Sequence, residues 1–555
     1  MKKTWWKEGV VYQIYPRSFN DTTGNGIGDI YGIIEKLDYI KSLGVDIIWL
    51  CPVYESPNDD NGYDISDYKK ISDDFGGSKA FDLLLHQMHQ KGLKLVMDLV
   101  LNHTSDEHAW FKEAATSKNN PYREYYFWKP SKNGNPPNNW SSFFSGSAWQ
   151  LDKTTEEYYL HLFTKKQPDL NWDNPKVREE IYNMVDFWCQ KGVDGFRMDV
   201  ISLISKQPNL PDSNTPDNYG ETIKNYYANG PKIHTYLKEF NQRVLSKYNI
   251  MTVGEGPGID LETGLEYVHQ DNQELNMIFH FGHMFIDNGP KGKYDPIEMS
   301  LPKFKKVFSD WDAKLANKGW GSIFLGNHDF SRMVSRFGND KEYRETSAKL
   351  LALLLFTMRG TVYVYQGDEI GMTNVAYPDI SFYNDVETLN AWKEAEANNE
   401  DMEAFFKLVH KQSRDNARTP MQWNSSKNAG FSDVTPWLPV NENYTTINVE
   451  NQETDKTSIL HFYRKMIQIR KKHLTLVYGN YECLNATDEK LYVYKRWDTE
   501  NRYIILLNFS NQEQSLDFLT SELTQTTLIV SNTNTEQTTT KILSPWQAQL
   551  RKYIS

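Results

Sequence analysis

The sequence predicts an α/β fold, a (β/α)8 TIM barrel with an inserted subdomain after the third strand and a C-terminal antiparallel β domain. Three observations carry this. Eight short apolar runs, at 10–15, 45–51, 93–100, 193–200, 251–255, 275–281, 322–329 and 361–368, alternate with amphipathic stretches of crossover-helix length. Roughly ninety residues separate the third run from the fourth, far more than one crossover needs. Beyond about residue 480 the pattern turns to strict alternation, as in Leu491-Tyr492-Val493-Tyr494 and Tyr503-Ile504-Ile505-Leu506.

The elements follow in order. Residues 1–103 supply the first three strands of the catalytic barrel. Residues 104–171 are rich in Asn, Ser, Pro, Tyr and Trp, as in the stretch from Pro130 to Trp140, and read as the inserted subdomain. Residues 172–479 return to the barrel, and 480–555 read as a C-terminal β-sandwich. The most apolar stretch, Leu350 to Met358, is flanked by Lys349 and Arg359 and is too short for a bilayer, so it reads as a buried helix.

Composition narrows the class. At 555 residues the chain exceeds one ordinary core. A net charge of −12 argues against nucleic acid or an anionic membrane as partner. The three cysteines, Cys51, Cys189 and Cys483, lie far apart and support neither a disulfide framework nor a zinc site. The first residues, with Lys2 and Lys3 before Trp5 and Trp6, contain no apolar core of a signal peptide, so the expectation is a cytoplasmic protein.

Several apolar runs close on acidic residues: Asp98, Asp199, Glu255 and Asp329. Parallel barrels build their sites at these strand ends. In Gly195-Phe196-Arg197-Met198-Asp199-Val200, Arg197 and Asp199 stand two apart, so on a strand both side chains point the same way. The guanidinium would orient Asp199 and favour its ionised form. Three carboxylates around one barrel mouth cannot all ionise freely. One kept as an ion and one kept protonated is the equipment of glycoside hydrolysis. A single strand-end Asp would be read as a cap or an ion pair; three together point to catalysis.

These motifs resemble the α-amylase superfamily, glycoside hydrolase family 13, and within it the oligo-1,6-glucosidase and α-glucosidase members. Asp98 to His103, Gly195 to Asp199, Glu255, and Asn327-His328-Asp329 match its conserved regions in order, and Gln167 to Asn171 resembles the short region marking the oligo-1,6-glucosidases. The resemblance implies Asp199 as nucleophile, Glu255 as general acid/base and Asp329 as stabiliser, with retention of configuration. It further implies a glucose pocket: Tyr63 as stacking platform, His103 and His328 as hydroxyl donors, and Asp60 paired with Arg418 to close the far end, with Arg414 as the competing partner. Asp98 would support rather than react. Lys293 and Glu387 would meet the second sugar.

In the family, valine after the nucleophile accompanies α-1,6 cleavage, so Val200 points to isomaltose and isomalto-oligosaccharides, released from the chain end. An α-1,4-glucosidase and a sucrose-acting isomerase or hydrolase share most motifs. The isomerases carry an arginine-rich loop where this chain has Gly289-Pro290-Lys291-Gly292-Lys293. A phosphosugar hydrolase would need a basic acceptor site, and the non-catalytic transporter subunits lack part of the triad. Phe330-Ser331 and Gly256-Pro257 depart from the commonest family forms. The loop Asp21, Thr23, Asn25, Ile27, Asp29 places oxygens at alternating positions and resembles a structural Ca2+ (or Mg2+) loop, although a turn held by Asx hydrogen bonds fits the same pattern. No organic cofactor is expected.

Overall fold

The computed structural model describes residues 3–216, 218–290, 292–533 and 541–554. Eight parallel strands form the central sheet: β1 (Val10–Ile14), β2 (Ile47–Leu50), β3 (Lys94–Val100), β4 (Gly195–Asp199), β5 (Met251–Glu255), β6 (Met277–Phe279), β7 (Ser322–Ile323) and β8 (Thr361–Tyr365). They run in the order β6-β5-β4-β3-β2-β1-β8-β7, so β1 to β6 follow one another in sequence order, β8 pairs with β7, and β8 closes onto β1. Both faces of a parallel barrel are covered, which is why the strands read as unbroken apolar runs rather than alternating ones.

The sixth and seventh strands are shorter than expected. Among the described residues no backbone ladder joins β6 to β7; the Ser322 hydroxyl donates to the Ile278 carbonyl at 2.9 Å. The chain leaves β7 after two residues, and 324–329 forms a loop that carries His328 and Asp329 over the barrel mouth.

Between β3 and β4 lies a three-stranded sheet of Trp128–Pro130, Glu157–Leu160 and Trp149–Asp152. Its aromatic core, with Trp140, Phe144, Trp149 and Phe163, is continuous with Val200 and Leu203 of the barrel. The helix Arg344–Thr357 is buried from Ser347 onward and lies between the barrel and the C-terminal unit. There β9 (Asn480–Cys483), β10 (Leu491–Trp497), β11 (Arg502–Asn508), β12 (Thr526–Ser531) and β13 (Ala548–Tyr553) pair in the order β9-β10-β11-β13-β12. Alternation divides its faces. Leu491 and Val493 pack into a local cluster with Leu543, while Tyr492 and Tyr494 join the barrel core. The three cysteines are free, and among the described residues no helix is long and apolar enough to cross a membrane.

Candidate active site

Strand β4 builds the centre of the site. Phe196 and Met198 enter the barrel core, and Arg197 and Asp199 share the opposite face. Gly195 is required by the approach of β5: a Cβ there would stand 2.4 Å from the Met251 carbonyl oxygen. Arg197, only 1% exposed, is a hub for three carboxylates. Its Nη1 donates to Asp98 Oδ1 and to Asp199 Oδ1, each at 2.7 Å, and its Nη2 donates to Glu255. The Val200 N–H adds a second donor to Glu255 at 3.1 Å.

One guanidinium cannot neutralise three buried acids. Burial pushes Asp199 up; Arg197 counters it, and Glu255 and Asp98 add to the rise. Burial likewise raises Glu255, opposed by Arg197 and reinforced by Asp329. Asp199 and Glu255 therefore both lie above the ordinary carboxylate range, and their titrations depend on one another.

Val200 adopts φ 36°, ψ 41°, in the left-handed region. A β-branched residue there carries a backbone cost of order 1–3 kcal/mol. The strain turns the chain sharply behind Asp199 and aims the Val200 amide at Glu255.

Asp329 is held differently. Burial opposes its charge, but the His328 ring and the Arg414 and Arg418 guanidinium groups outweigh that and keep it below the usual carboxylate range. Burial pushes His328 down to about 3, so its ring is neutral and acts through its dipole. Gln13, from β1, donates its amide to His328 Nδ1 at 2.9 Å. Since an amide nitrogen only donates, Nδ1 accepts and the ring proton sits on Nε2, 2.6 Å from the Tyr63 hydroxyl and 3.1 Å from Asp329. Tyr63 donates onward to Asp98 at 3.0 Å, and its ring stacks on His328 at 5.3 Å and 5°. Asp98 thus belongs to the supporting network. Gln13 was not picked out from the sequence, where a lone polar residue inside the apolar run Val10–Ile14 was the available signal.

The expected pairing of Asp60 with Arg418 is corrected by the structure. Arg418 donates to Asp329 at 2.9 Å and to the His328 carbonyl at 2.9 Å. Arg414 is the ion-pair partner of Asp60, at 3.5 Å. The reason is Asp385, which caps the helix Val386–Ala397 and binds Arg414 at 2.6 Å, fixing the guanidinium between Asp60, Asp329 and Glu387. Burial raises Asp60 to about 7 despite Arg414 and Arg418. Gln167 donates to Asp60 at 3.1 Å and lies 3.3 Å from His103, which burial lowers to about 4. Lys293 and Glu387 pair at 2.5 Å on the far wall.

These residues enclose one pocket of about 190 Å³. Asp60, Tyr63, His103, Asp199, Glu255 and Asp329 line it, together with Val200, His328, Lys293, Glu387 and Arg414. Phe143, Phe144 and Phe163, from the segments flanking the inserted sheet, complete one wall and Phe281, Phe285 and Phe330 another. Arg197 and Arg418 stand behind the lining residues rather than among them. A second cavity, at the opposite end of β7 and beside His280 and Trp311, holds about 30 Å³, room for a single water.

The expected metal loop was tested by its donors. Asp21 accepts from the amides of Thr23, Gly24 and Gly26 and from the Thr23 and Ser432 hydroxyls. Asn25 accepts from the Ile27 amide, and Asp29 from the Thr22 amide and hydroxyl and from the Gly32 amide. These are the hydrogen bonds of successive Asx turns, and they leave acceptor capacity on Asp29 and the Thr23, Asn25 and Ile27 oxygens at alternating positions of the loop, the residues that would hold a cation. Among the described residues no cluster of three or more His, Cys, Asp or Glu is arranged for a metal.

Residues 13–479 match the model of the α-amylase catalytic domain. The chain belongs to the α-amylase family. It is a glycoside hydrolase. An oligo-1,6-glucosidase of Parageobacillus thermoglucosidasius is 54% identical over 559 residues, covering 100% of this chain and 99% of its own. A trehalose-6-phosphate hydrolase of Bacillus subtilis (strain 168) is 47% identical, over 92% of this chain and 90% of its own. Among solved structures, an isomaltulose synthase of Klebsiella sp. LX3 superposes with a TM-score of 0.95 at 43% identity over 100% of both chains.

Proposed function

We propose that this hydrolase is a retaining, exo-acting α-glucosidase that releases terminal α-1,6-linked glucose from isomaltose and isomalto-oligosaccharides. The observation that carries the reaction class is the shared guanidinium of Arg197. With Asp199 on Nη1 and Glu255 on Nη2, the two carboxyls are neighbours. Retaining enzymes hold them about 5–5.5 Å apart, too close for an intervening water.

Asp199 attacks the anomeric carbon while Glu255 gives its proton to the glycosidic oxygen, so the leaving sugar departs neutral. In the second half Glu255, now ionised, takes a proton from water, whose oxygen displaces Asp199. The upward shift of Glu255, caused first by burial, is in the direction that a general acid requires. Asp329, His328, His103 and Asp60 grip the hydroxyls of the terminal glucose, and Tyr63 supplies its platform. The Asp60–Arg414 pair closes the pocket behind that glucose, which restricts cleavage to the chain end.

The linkage rests on Val200, whose side chain lines the pocket beside Asp199, and on relatives named for 1,6-linkages. Three unpaired cysteines suit a reducing cytoplasm, and the reading includes a monomer. The isomaltulose synthase structures favour a second reading, sucrose isomerisation. The stretch 289–293 speaks against it by lacking the isomerase arginines; Lys291 lies outside the described residues.

The test is turnover of isomaltose, maltose, sucrose and trehalose-6-phosphate side by side. Isomaltose should give the highest kcat/KM. Faster maltose turnover overturns the linkage, isomaltulose accumulating from sucrose selects the second reading, and dominant trehalose-6-phosphate cleavage overturns both.

A further inference from the structure

The helix Val386–Ala397 carries a polar face that meets both the pocket and the inserted subdomain. Glu387, Asn390 and Glu394 stand at i, i+3 and i+7 along it. Glu387 binds Lys293 and Arg414. Asn390 donates its amide to the Phe144 carbonyl at 2.9 Å, and Glu394 accepts from the Ser145 hydroxyl at 2.8 Å. Both partners belong to a hairpin of the inserted subdomain, closed by the bridge of Ser141 with Ser147 and by the Ser142 amide on the Gly146 carbonyl at 2.9 Å. At its tip Ser145 (φ 72°) and Gly146 (φ 81°) are left-handed, which for the serine carries a backbone cost. The two hydrogen bonds to the helix offset that cost and hold the tip against it.

The tip delivers the Phe144 ring, which lines the pocket with the Arg414 guanidinium 4.8 Å over it. The same ring meets the edge of Phe163 at 5.6 Å and 63°, and Phe163 lies 4.9 Å from the His103 ring. Asp385, the cap of the helix, binds Arg414 directly. One helix therefore fixes the guanidinium through its cap and, a little over one turn later, the ring against it through Asn390. A cation on an aromatic face gains most when both are withdrawn from water.

We propose that Asn390 is a positioning residue for the closed end of the pocket. By fixing the Phe144 carbonyl it seats the ring on Arg414 and keeps that guanidinium against Asp60, so hairpin and helix together set how tightly the terminal glucose is gripped. Asn390 acts through Phe144 and touches no substrate. Its contribution is equal in bound substrate, transition state and bound glucose, because the Asp60–Arg414 end holds a part of the sugar that does not react. The inference rests on the proposed α-glucosidase reading and deepens the glucose side of its pocket.

The test is a double-mutant cycle on Asn390→Ala and Phe144→Leu, reading kcat and KM on isomaltose and the competitive inhibition constant of glucose. Asn390 is half-buried and alanine is a good helix former, so the helix is retained; melting curves check every variant. Asn390→Ala should raise KM and the glucose inhibition constant together by about threefold to tenfold, the worth of one hydrogen bond, with kcat within about twofold. Asn390→Asp, which keeps the size and loses the donor, should do the same. In the Phe144→Leu background Asn390→Ala should add less than about twofold, since the ring it positions is gone. A fall in kcat at constant KM, unchanged glucose inhibition, or an equal effect with and without the ring overturns the inference. Glucose inhibition does not depend on the linkage cleaved, whereas failure of the α-1,6 reading is seen as the maltose-to-isomaltose ratio of the unaltered enzyme.

Discussion

Asp60 gives the sharpest quantitative expectation. Its carboxyl is raised from 3.8 to about 7, chiefly by burial, and its two arginines only partly compensate. A rise of about 3 units at 1.36 kcal/mol each corresponds to about 4 kcal/mol. The folded protein binds this proton more tightly than the unfolded chain does. The associated stability is therefore complete below about pH 4 and is lost as pH rises through about 7. Asp60→Asn removes the titration, keeps an oxygen for Arg414, and leaves that arginine anchored on Asp385. Urea unfolding midpoints of the substrate-free protein, measured every half unit from pH 4.5 to 8, should show the unaltered enzyme losing stability relative to the variant by up to about 3 kcal/mol across that window. Assayed at pH 8, above the Asp60 titration, the same variant should lose about 10- to 100-fold in kcat/KM, because a charged acceptor for glucose hydroxyls becomes a neutral one. Parallel stability curves would refute the reasoning, since Asp60 would then be ionised and compensated in the folded state throughout.

Asp199→Asn should lower kcat on isomaltose on the order of 10^4-fold, read by glucose release; a loss of less than about a hundredfold would remove Asp199 as nucleophile. Val200→Thr should raise the ratio of kcat/KM for maltose over isomaltose on the order of tenfold, and an unchanged ratio would detach linkage preference from this residue. Treatment with EDTA should lower the melting temperature by several degrees if the oxygens of the 21–29 loop hold a cation; an unchanged melting temperature would assign the loop to its Asx turns alone.

Much of the barrel was legible because its strands are buried on both faces and end on acids, so apolar runs and their closing carboxylates mark the strand ends directly. Period two in Arg197 and Asp199 was enough to place both on one face. The seventh strand was overread: the run from Ser322 to Asp329 looks continuous, but only Ser322–Ile323 pairs with a neighbour. Arg414 and Arg418 are four residues apart on one short turn, and local spacing cannot say which reaches Asp60. The choice is made by Asp385, 29 residues before Arg414 in the chain, through tertiary contact. The loop from Asp21 to Asp29 was ambiguous for a different reason. Alternating oxygen side chains suit a cation and a set of Asx turns equally, and the amide donors on Asp21, Asn25 and Asp29 are compatible with both. The phenylalanine wall was invisible for want of any periodic relation between 281–285 and 330.

Val200 answers to two selections at once. Its backbone geometry rewards glycine and asparagine, whereas its side chain stands where the leaving sugar is discriminated. A library randomised at this position would therefore sort along two independent axes, with fold stability favouring one set of residues and substrate choice another. Threonine shares valine's branching and so its conformational penalty. Among the substitutions open to an engineer, it changes the chemistry of the wall while leaving the turn behind the nucleophile as tense as it was.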